Sequence, residues 1–251
     1  MRRVCSIAII TINRDGRRLA KALQRDLEGA DIYSCRMSRG GSLKALTVKL
    51  FNKYDGLIFI SALGIVNRII GPLVRNKLSD PAVVAIDTAG RFAISALSGH
   101  EGGANNLAYA AAASLGAVPV ITTGKEAHKK IIVGIGCRRG VNPNEVERAV
   151  RRALREKGIS PEDVRVAATV DIKKGEKGLV KACSHLGLPL VFIPKDDIKN
   201  FKTPSTSEVV RRNIGLDGVC EPAALLAGRR ARLISKKKAF GGIAIAIARE
   251  G

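Results

Sequence analysis

Short apolar runs rich in β-branched residues alternate with longer amphipathic stretches along the whole chain. That alternation leaves few architectures open. An unbroken apolar run fits a strand buried on both faces, and an amphipathic stretch between two runs is long enough to carry the chain back for a parallel neighbour. The sequence predicts an α/β protein: two α/β domains, each a mostly parallel sheet flanked by helices. In the first half, strands are expected near residues 4–12, 31–34, 56–60, 82–86, 92–96 and 118–122, with helices near 16–27, 43–53, 65–73 and 104–115. The early strand–helix–strand–helix–strand order matches half of a doubly wound fold. Asn13-Arg14-Asp15-Gly16, after the first strand, lacks the three-glycine spacing of a dinucleotide fingerprint.

A polar stretch at 124–130 lies between two strands and marks a boundary, giving domains 1–127 and 128–251. The second series has strands near 131–136, 164–169, 190–193 and 243–248, and helices near 143–157, 178–186, 208–213 and 222–227. The helix from Pro143 has a clear start, with Asn142 as N-cap and Glu145 placed to complete a capping box. Ser207 is the expected N-cap of the helix from Glu208. Arg148, Arg151, Arg152 and Arg155 make one side of the 143–157 helix basic, as a solvated face would be.

With 46% hydrophobic residues in 251, a proper core can form and wholesale disorder is excluded. No apolar run has the length of a membrane span, and the first apolar run is broken by Asn13-Arg14-Asp15 without a small-residue cleavage site. A cytoplasmic protein is expected. Five scattered cysteines form no Cys-x-x-Cys pair, so they read as buried thiols rather than zinc ligands, and Cys183 and His185 point in different directions on one helix.

The net charge of +21 divides as +9 over residues 1–125 and +12 over 126–251, so there is no single basic tail. Such a field attracts polyanions, either nucleic acid or a small molecule with many acidic groups. With 4% aromatics and no tryptophan, a base-stacking platform is missing, and Lys236-Lys237-Lys238 reads as solvated surface.

Ser98-Gly99-His100-Glu101-Gly102-Gly103-Ala104-Asn105 joins an expected strand to an expected helix. Glycines let the backbone approach a ligand, and the open N–H groups of a helix start favour an anion. His100 adds a side chain suited to proton transfer near neutrality. Alternatively, the segment is a plain turn that His100 caps.

Several stretches resemble the cobalt-precorrin-5A hydrolases of anaerobic cobalamin biosynthesis. They are Ser61-Ala62-Leu63-Gly64-Ile65-Val66-Asn67-Arg68, Lys77-Leu78-Ser79-Asp80-Pro81-Ala82, and the run from Ser98 to Asn105. In the second half they are Gly134-Ile135-Gly136-Cys137-Arg138-Arg139-Gly140, Ala168-Thr169-Val170-Asp171, Leu186-Gly187-Leu188-Pro189 and Glu221-Pro222-Ala223-Ala224. Longer family members carry a middle segment where this chain has only the link at 124–130. The link reads Gly124-Lys125-Glu126 where the family pattern has a small, acidic ending, so no acid role is carried over there.

The resemblance implies opening of a δ-lactone on a cobalt corrinoid precursor and expulsion of a two-carbon unit as acetaldehyde. That chemistry needs a base for water, donors for the oxyanion, and a proton acceptor for the released hydroxyl. The resemblance points to His100 as general base, or alternatively as an axial ligand of the substrate's cobalt. Glu101 and Glu221 are the candidates for the second acceptor. Gly99, Gly102 and Gly103 shape the oxyanion cradle, Ser98 orients His100 or the water, and Asn105 either donates through its amide or packs locally. Arg68, Arg138 and Arg139 match the carboxylates of the macrocycle, which would sit in a crevice between the domains. No cofactor or protein-bound metal is expected, because the cobalt arrives with the substrate. Two other readings stay open: a corrinoid-binding protein without catalysis, and a basic nucleic-acid-binding α/β protein. Oligomeric state is not legible.

Overall fold

In the computed structural model, which describes residues 4–35, 42–202 and 205–251, each expected apolar run of the first half is a strand of one six-stranded sheet. The strands are β1 (Ile7–Thr11), β2 (Ala30–Ser34), β3 (Gly56–Ile60), β4 (Ala82–Ile86), β5 (Phe92–Leu97) and β6 (Val118–Val120), ordered β2-β1-β3-β4-β5-β6. Contacts divide the chain into two units, Met1–Ala127 and His128–Gly251.

In the first unit every residue of β1, β3 and β4 is buried, which requires cover on both faces. Ile7, Ile9, Ile58 and Ile60 pack against α1 (Arg14–Asp26) and α4 (Ala104–Leu115). Ala8, Ile10, Leu57 and Phe59 point the other way, to α2 (Leu43–Phe51) and α3 (Leu63–Ile70). The alternation is the two-residue period of a strand used on both sides. α1 starts where Asn13 accepts the Gly16 N–H at 2.8 Å, with Asp15 in its first turn and Arg25 in its last to complement the dipole.

β1 to β4 run parallel, but β5 turns back antiparallel to β4, and β6 follows β5. Asp87 makes the reversal. Its carboxylate accepts the N–H groups of Arg91 (2.6 Å) and Phe92 (2.8 Å) and the Arg91 guanidinium (3.1 Å). Partial burial pushes this carboxyl up, but the Phe92 and Arg91 donors outweigh burial and hold it below the ordinary aspartate value.

In the second unit β7 (Ile131–Cys137), β8 (Val164–Val170) and β9 (Leu190–Ile193) are parallel, while β10 (Arg232–Phe240) and β11 (Ile243–Arg249) are antiparallel, in the order β10-β11-β7-β8-β9. This sheet is mixed rather than mostly parallel. α6 (Pro143–Arg155) and α7 (Lys177–His185) contribute to one core. α10 (Cys220–Leu226) lies against β7, where a Cβ on Gly134 would collide with the Cys220 carbonyl. The absence of a side chain at Gly134 sets that close approach.

Lys236 and Lys238 are exposed, as a solvated surface would be, but the stretch belongs to strand β10. An edge strand buries little, and its lysines discourage pairing with other chains, so its pattern reads as polar. Asn142 caps α6 through the Asn144 N–H at 2.9 Å, but Glu145 turns to Arg138 (3.3 Å) and leaves the capping box incomplete. Ser207 occupies the N-cap of α9 (Glu208–Ile214) without a side-chain cap bond. Two short helices, α5 (Gly124–Ala127) and α8 (Lys195–Asn200), are too brief to show a period. No helix among the described residues is long and apolar enough to cross a membrane.

Burial pushes the Cys183 and Cys220 thiols up to about 12, while Cys5 is exposed. Iodoacetamide at neutral pH is expected to label Cys5 first and to reach Cys183 and Cys220 only after denaturation, as read by peptide mass spectrometry. Replacing Asp87 by Ala is expected to cost roughly 1–2 kcal/mol at pH 7 in urea unfolding. Because the folded carboxyl titrates below its unfolded value, that contribution is present above the unfolded value and fades as pH falls through the folded one. Parent and variant should therefore converge once pH has fallen through the folded titration.

Candidate active site

The reversal at Asp87 places the end of β5 beside the start of β4, with Leu97 opposite Val83. The 98–103 loop therefore opens at the edge from which β1, β3 and β4 set out, not at their carboxyl ends. The turn at 74–81 before β4 and the short helix α5 after β6 reach the same loop.

Ser98 takes φ +55° and Gly103 φ +91°, so the loop turns through the left-handed region twice. A Cβ on Gly99 would stand 2.6 Å from Thr123 Cγ2 and 2.8 Å from Asn105 Oδ1, and one on Gly102 would collide with Ser98. Both glycines are there for close backbone approach. Asn105 is buried, accepts from Ser95 Oγ at 2.8 Å and donates to Thr123 Oγ1 at 2.8 Å. Its amide is committed at both ends and ties β5, α4 and the α5 turn together, so its role is local packing rather than donation to a ligand.

The start of α4 is not the open anion cradle that the sequence suggests. The Ala104 N–H donates to Ser98 O (3.2 Å) and the Asn105 N–H to Gly99 O (2.9 Å), because the loop folds back over its own helix. The Gly102 and Gly103 N–H groups have no acceptor among the described residues, and both glycines are buried. Ser98 does not orient His100, since its buried hydroxyl has no hydrogen-bond partner.

His100 stands between two charges. Lys125 Nζ lies 3.0 Å from His100 Nε2, and Glu126 Oε1 lies 4.0 Å from His100 Nδ1. An ammonium can only donate, so Nε2 accepts and the ring proton sits on Nδ1, facing the carboxylate. The imidazole is about a quarter exposed (27%) and Glu126 is buried, so the histidine reaches solvent while its acidic neighbour does not. Nδ1 is buried and makes no hydrogen bond among the described residues, the Glu126 carboxylate being too far for one. Glu101, next along the loop, is held below the usual glutamate range by its own N–H and then by Lys77 Nζ at 3.3 Å.

The remaining expected residues lie elsewhere. Arg68 is exposed in the last turn of α3, and no hydrogen bond or ion pair among the described residues joins it to the His100 loop. Arg138 and Arg139 follow β7 in the second unit, both exposed on their loop, with Arg138 on Glu145. Glu221 is buried in the first turn of α10, its Oε1 accepting from Ser205 Oγ (3.0 Å) and the Lys237 N–H (2.9 Å). That carboxylate fastens α10 to the β10 edge and is already occupied by protein donors.

Lys77, Thr123, Lys125 and Glu126 were not anticipated at the site. Lys125 and Glu126 fall in the stretch that reads as a polar link, and Thr123 directly precedes it. One signal was present: Thr123-Gly124-Lys125-Glu126 has the spacing of a helix start. Replacing Lys77 by Ala is expected to raise the Glu101 titration toward the ordinary glutamate value in a carboxyl-carbon NMR titration; an unchanged midpoint would mean that Lys77 does not act on it.

Residues 45–126 match the family model described as "Cobalamin synthesis G N-terminal", and residues 131–248 the model "Cobalamin synthesis G C-terminus". A cobalt-precorrin-5A hydrolase of Priestia megaterium is 26% identical over 351 positions, covering 96% of this chain and 94% of that protein. One of Salmonella typhimurium is 26% identical over 320 positions, covering 88% and 91%. Protein CobE of a Sinorhizobium species is 34% identical over 110 positions, covering 43% and 71%. The two hydrolase alignments are longer than this 251-residue chain, so those relatives carry residues that it lacks.

Proposed function

Because the chain belongs to the cobalamin synthesis G family, we propose that it is a cobalt-precorrin-5A hydrolase of cobalamin biosynthesis. In this reading it opens the δ-lactone of a cobalt corrinoid precursor and releases acetaldehyde to give cobalt-precorrin-5B. The observation that carries the reading is the line Lys125–His100–Glu126 beside the unpaired Gly102 and Gly103 N–H groups.

The substrate is a polyacid whose cobalt is part of the substrate itself. A substrate carboxylate draws the exposed Lys125 ammonium away from His100 Nε2 and frees that lone pair. Nε2 then takes a proton from water as the water oxygen bonds to the lactone carbonyl carbon. The Gly102 and Gly103 N–H groups meet the oxygen that becomes negative. Glu126 stabilises the imidazolium from its Nδ1 side. When the tetrahedral intermediate collapses, the ring C–O bond breaks and the departing alkoxide takes the proton back from Nε2.

The freed hydroxyl then gives its proton to the same nitrogen. The carbon–carbon bond breaks, its electron pair passes into the conjugated macrocycle, and the two-carbon unit leaves as acetaldehyde. One histidine serves both steps. In this reading it takes the place of Glu101 and Glu221 as second acceptor, the former engaged by Lys77 and the latter occupied within α10. The exposed arginines Arg138 and Arg139 remain suited to the acetate and propionate arms of the macrocycle.

Anaerobic incubation with cobalt-precorrin-5A is expected to release acetaldehyde in step with the opened macrocycle. His100→Gln should lower turnover by about a hundredfold or more, and Glu126→Gln by about tenfold or more, with substrate affinity retained. Full turnover in His100→Gln would remove the histidine from the chemistry. Loss of the cobalt band shift on binding to that variant would instead make His100 a ligand of the substrate's metal.

A further inference from the structure

At the other edge of the first unit, where β1 and β3 end, the chain leaves the sheet in two directions. After β1 it passes into α1 on one face, and after β3 into α3 on the other. In open α/β sheets, ligands bind outside the carboxyl ends of strands at such a divergence. The five-residue strands put this edge roughly 16 Å from the His100 loop along the strand direction. Nothing in the proposed chemistry uses it.

Three observations meet there. Ser61, the residue after β3, is 3% exposed, and its hydroxyl has no hydrogen-bond partner among the described residues. By strand alternation it follows Leu57 and Phe59 onto the face that α3 covers, beneath the first turn of that helix. α3 has no side-chain cap. The Ile65 and Val66 N–H groups fold back to the Ala62 carbonyl at 3.0 and 3.3 Å, but those of Leu63 and Gly64 meet no acceptor among the described residues. A Cβ on Gly64 would find no atom of the described residues within 4 Å, so among them the space beside that turn is open.

We propose that this crevice is a second binding site, which takes an oxyanion of a small molecule on the Leu63 and Gly64 N–H groups, with the Ser61 hydroxyl as third donor. Three donors around an open space at the positive end of a helix suit a carboxylate or a phosphate. Arg14, exposed at the start of α1 on the same edge, adds positive field, and Asp15 beside it is the opposing charge. A buried hydroxyl without a partner costs free energy in the empty protein, and that cost is relieved when an anion accepts from it. The stretch Ser61-Ala62-Leu63-Gly64 thus gains a role distinct from that of the His100 loop. The occupant is either an outlying acid of the polyacid substrate or a separate anion, and the site chemistry is the same for both.

The full-length protein, labelled with nitrogen-15, is titrated with sodium phosphate and separately with sodium acetate, ionic strength held constant with sodium chloride. The amide signals of Leu63 and Gly64 are expected to move saturably in at least one titration. Saturation with acetate identifies a carboxylate site, and saturation with phosphate alone a phosphate site. Ser61→Ala should weaken the binding at least fivefold. Gly64→Asp, which carries its own carboxylate into the open space, should abolish the shift while the rest of the spectrum stays folded. Unmoved amides in both titrations, shifts that never saturate, or unchanged affinity in Ser61→Ala would overturn the proposal. The readout is binding alone, so this site and the acetaldehyde-releasing activity stand or fall separately.

Discussion

The reversal at Asp87 governs the layout of the first unit. Without it, β5 would continue the parallel series and deliver the glycine–histidine loop to the carboxyl edge of the sheet. Three donors on one carboxylate turn the chain back, and the loop comes out at the opposite edge, against the turn before β4. Only there can Lys77 reach Glu101, and only there does the short helix after β6 bring Lys125 and Glu126 to either side of His100.

Once the loop is placed, its chemistry follows from who occupies which donor. The fold-back of Ser98 and Gly99 consumes the first N–H groups of α4, and Asn105 is consumed by Ser95 and Thr123. What remains is a partly exposed imidazole with one nitrogen facing a cation and the other facing a buried acid, beside two glycine N–H groups without an acceptor among the described residues. In the proposed function, a polyacid that attracts the cation away frees the histidine's lone pair, which would give part of the chain's basic excess a use close to the reacting atoms.

The two edges of this sheet are built differently. At the His100 edge the helix start is folded shut and side chains carry the chemistry. At the far edge the start of α3 is left uncapped above a buried, unpartnered serine. The second unit closes its own edges in another way: Glu221 is taken up by Ser205 and the Lys237 backbone, and Arg138 is drawn to Glu145.

The alternation of apolar and amphipathic segments determined by itself that both halves are α/β, and the glycines around His100 marked the loop, because period and backbone freedom are local properties. β10 was illegible because an edge strand of lysines buries too little to show a pattern, and α5 because one helical turn has no period. Which N–H groups stay open and which carboxylate faces the imidazole were tertiary decisions. The link from Gly124 read as merely polar, whereas packing of Thr123 against Asn105 and Gly99 sets its first turn over the histidine. The return from β4 to β5 was already set by the short link at 87–91, which cannot carry a parallel crossover, and the Asp87 hydrogen bonds brace it, whereas apolar runs by themselves state only that a segment is buried.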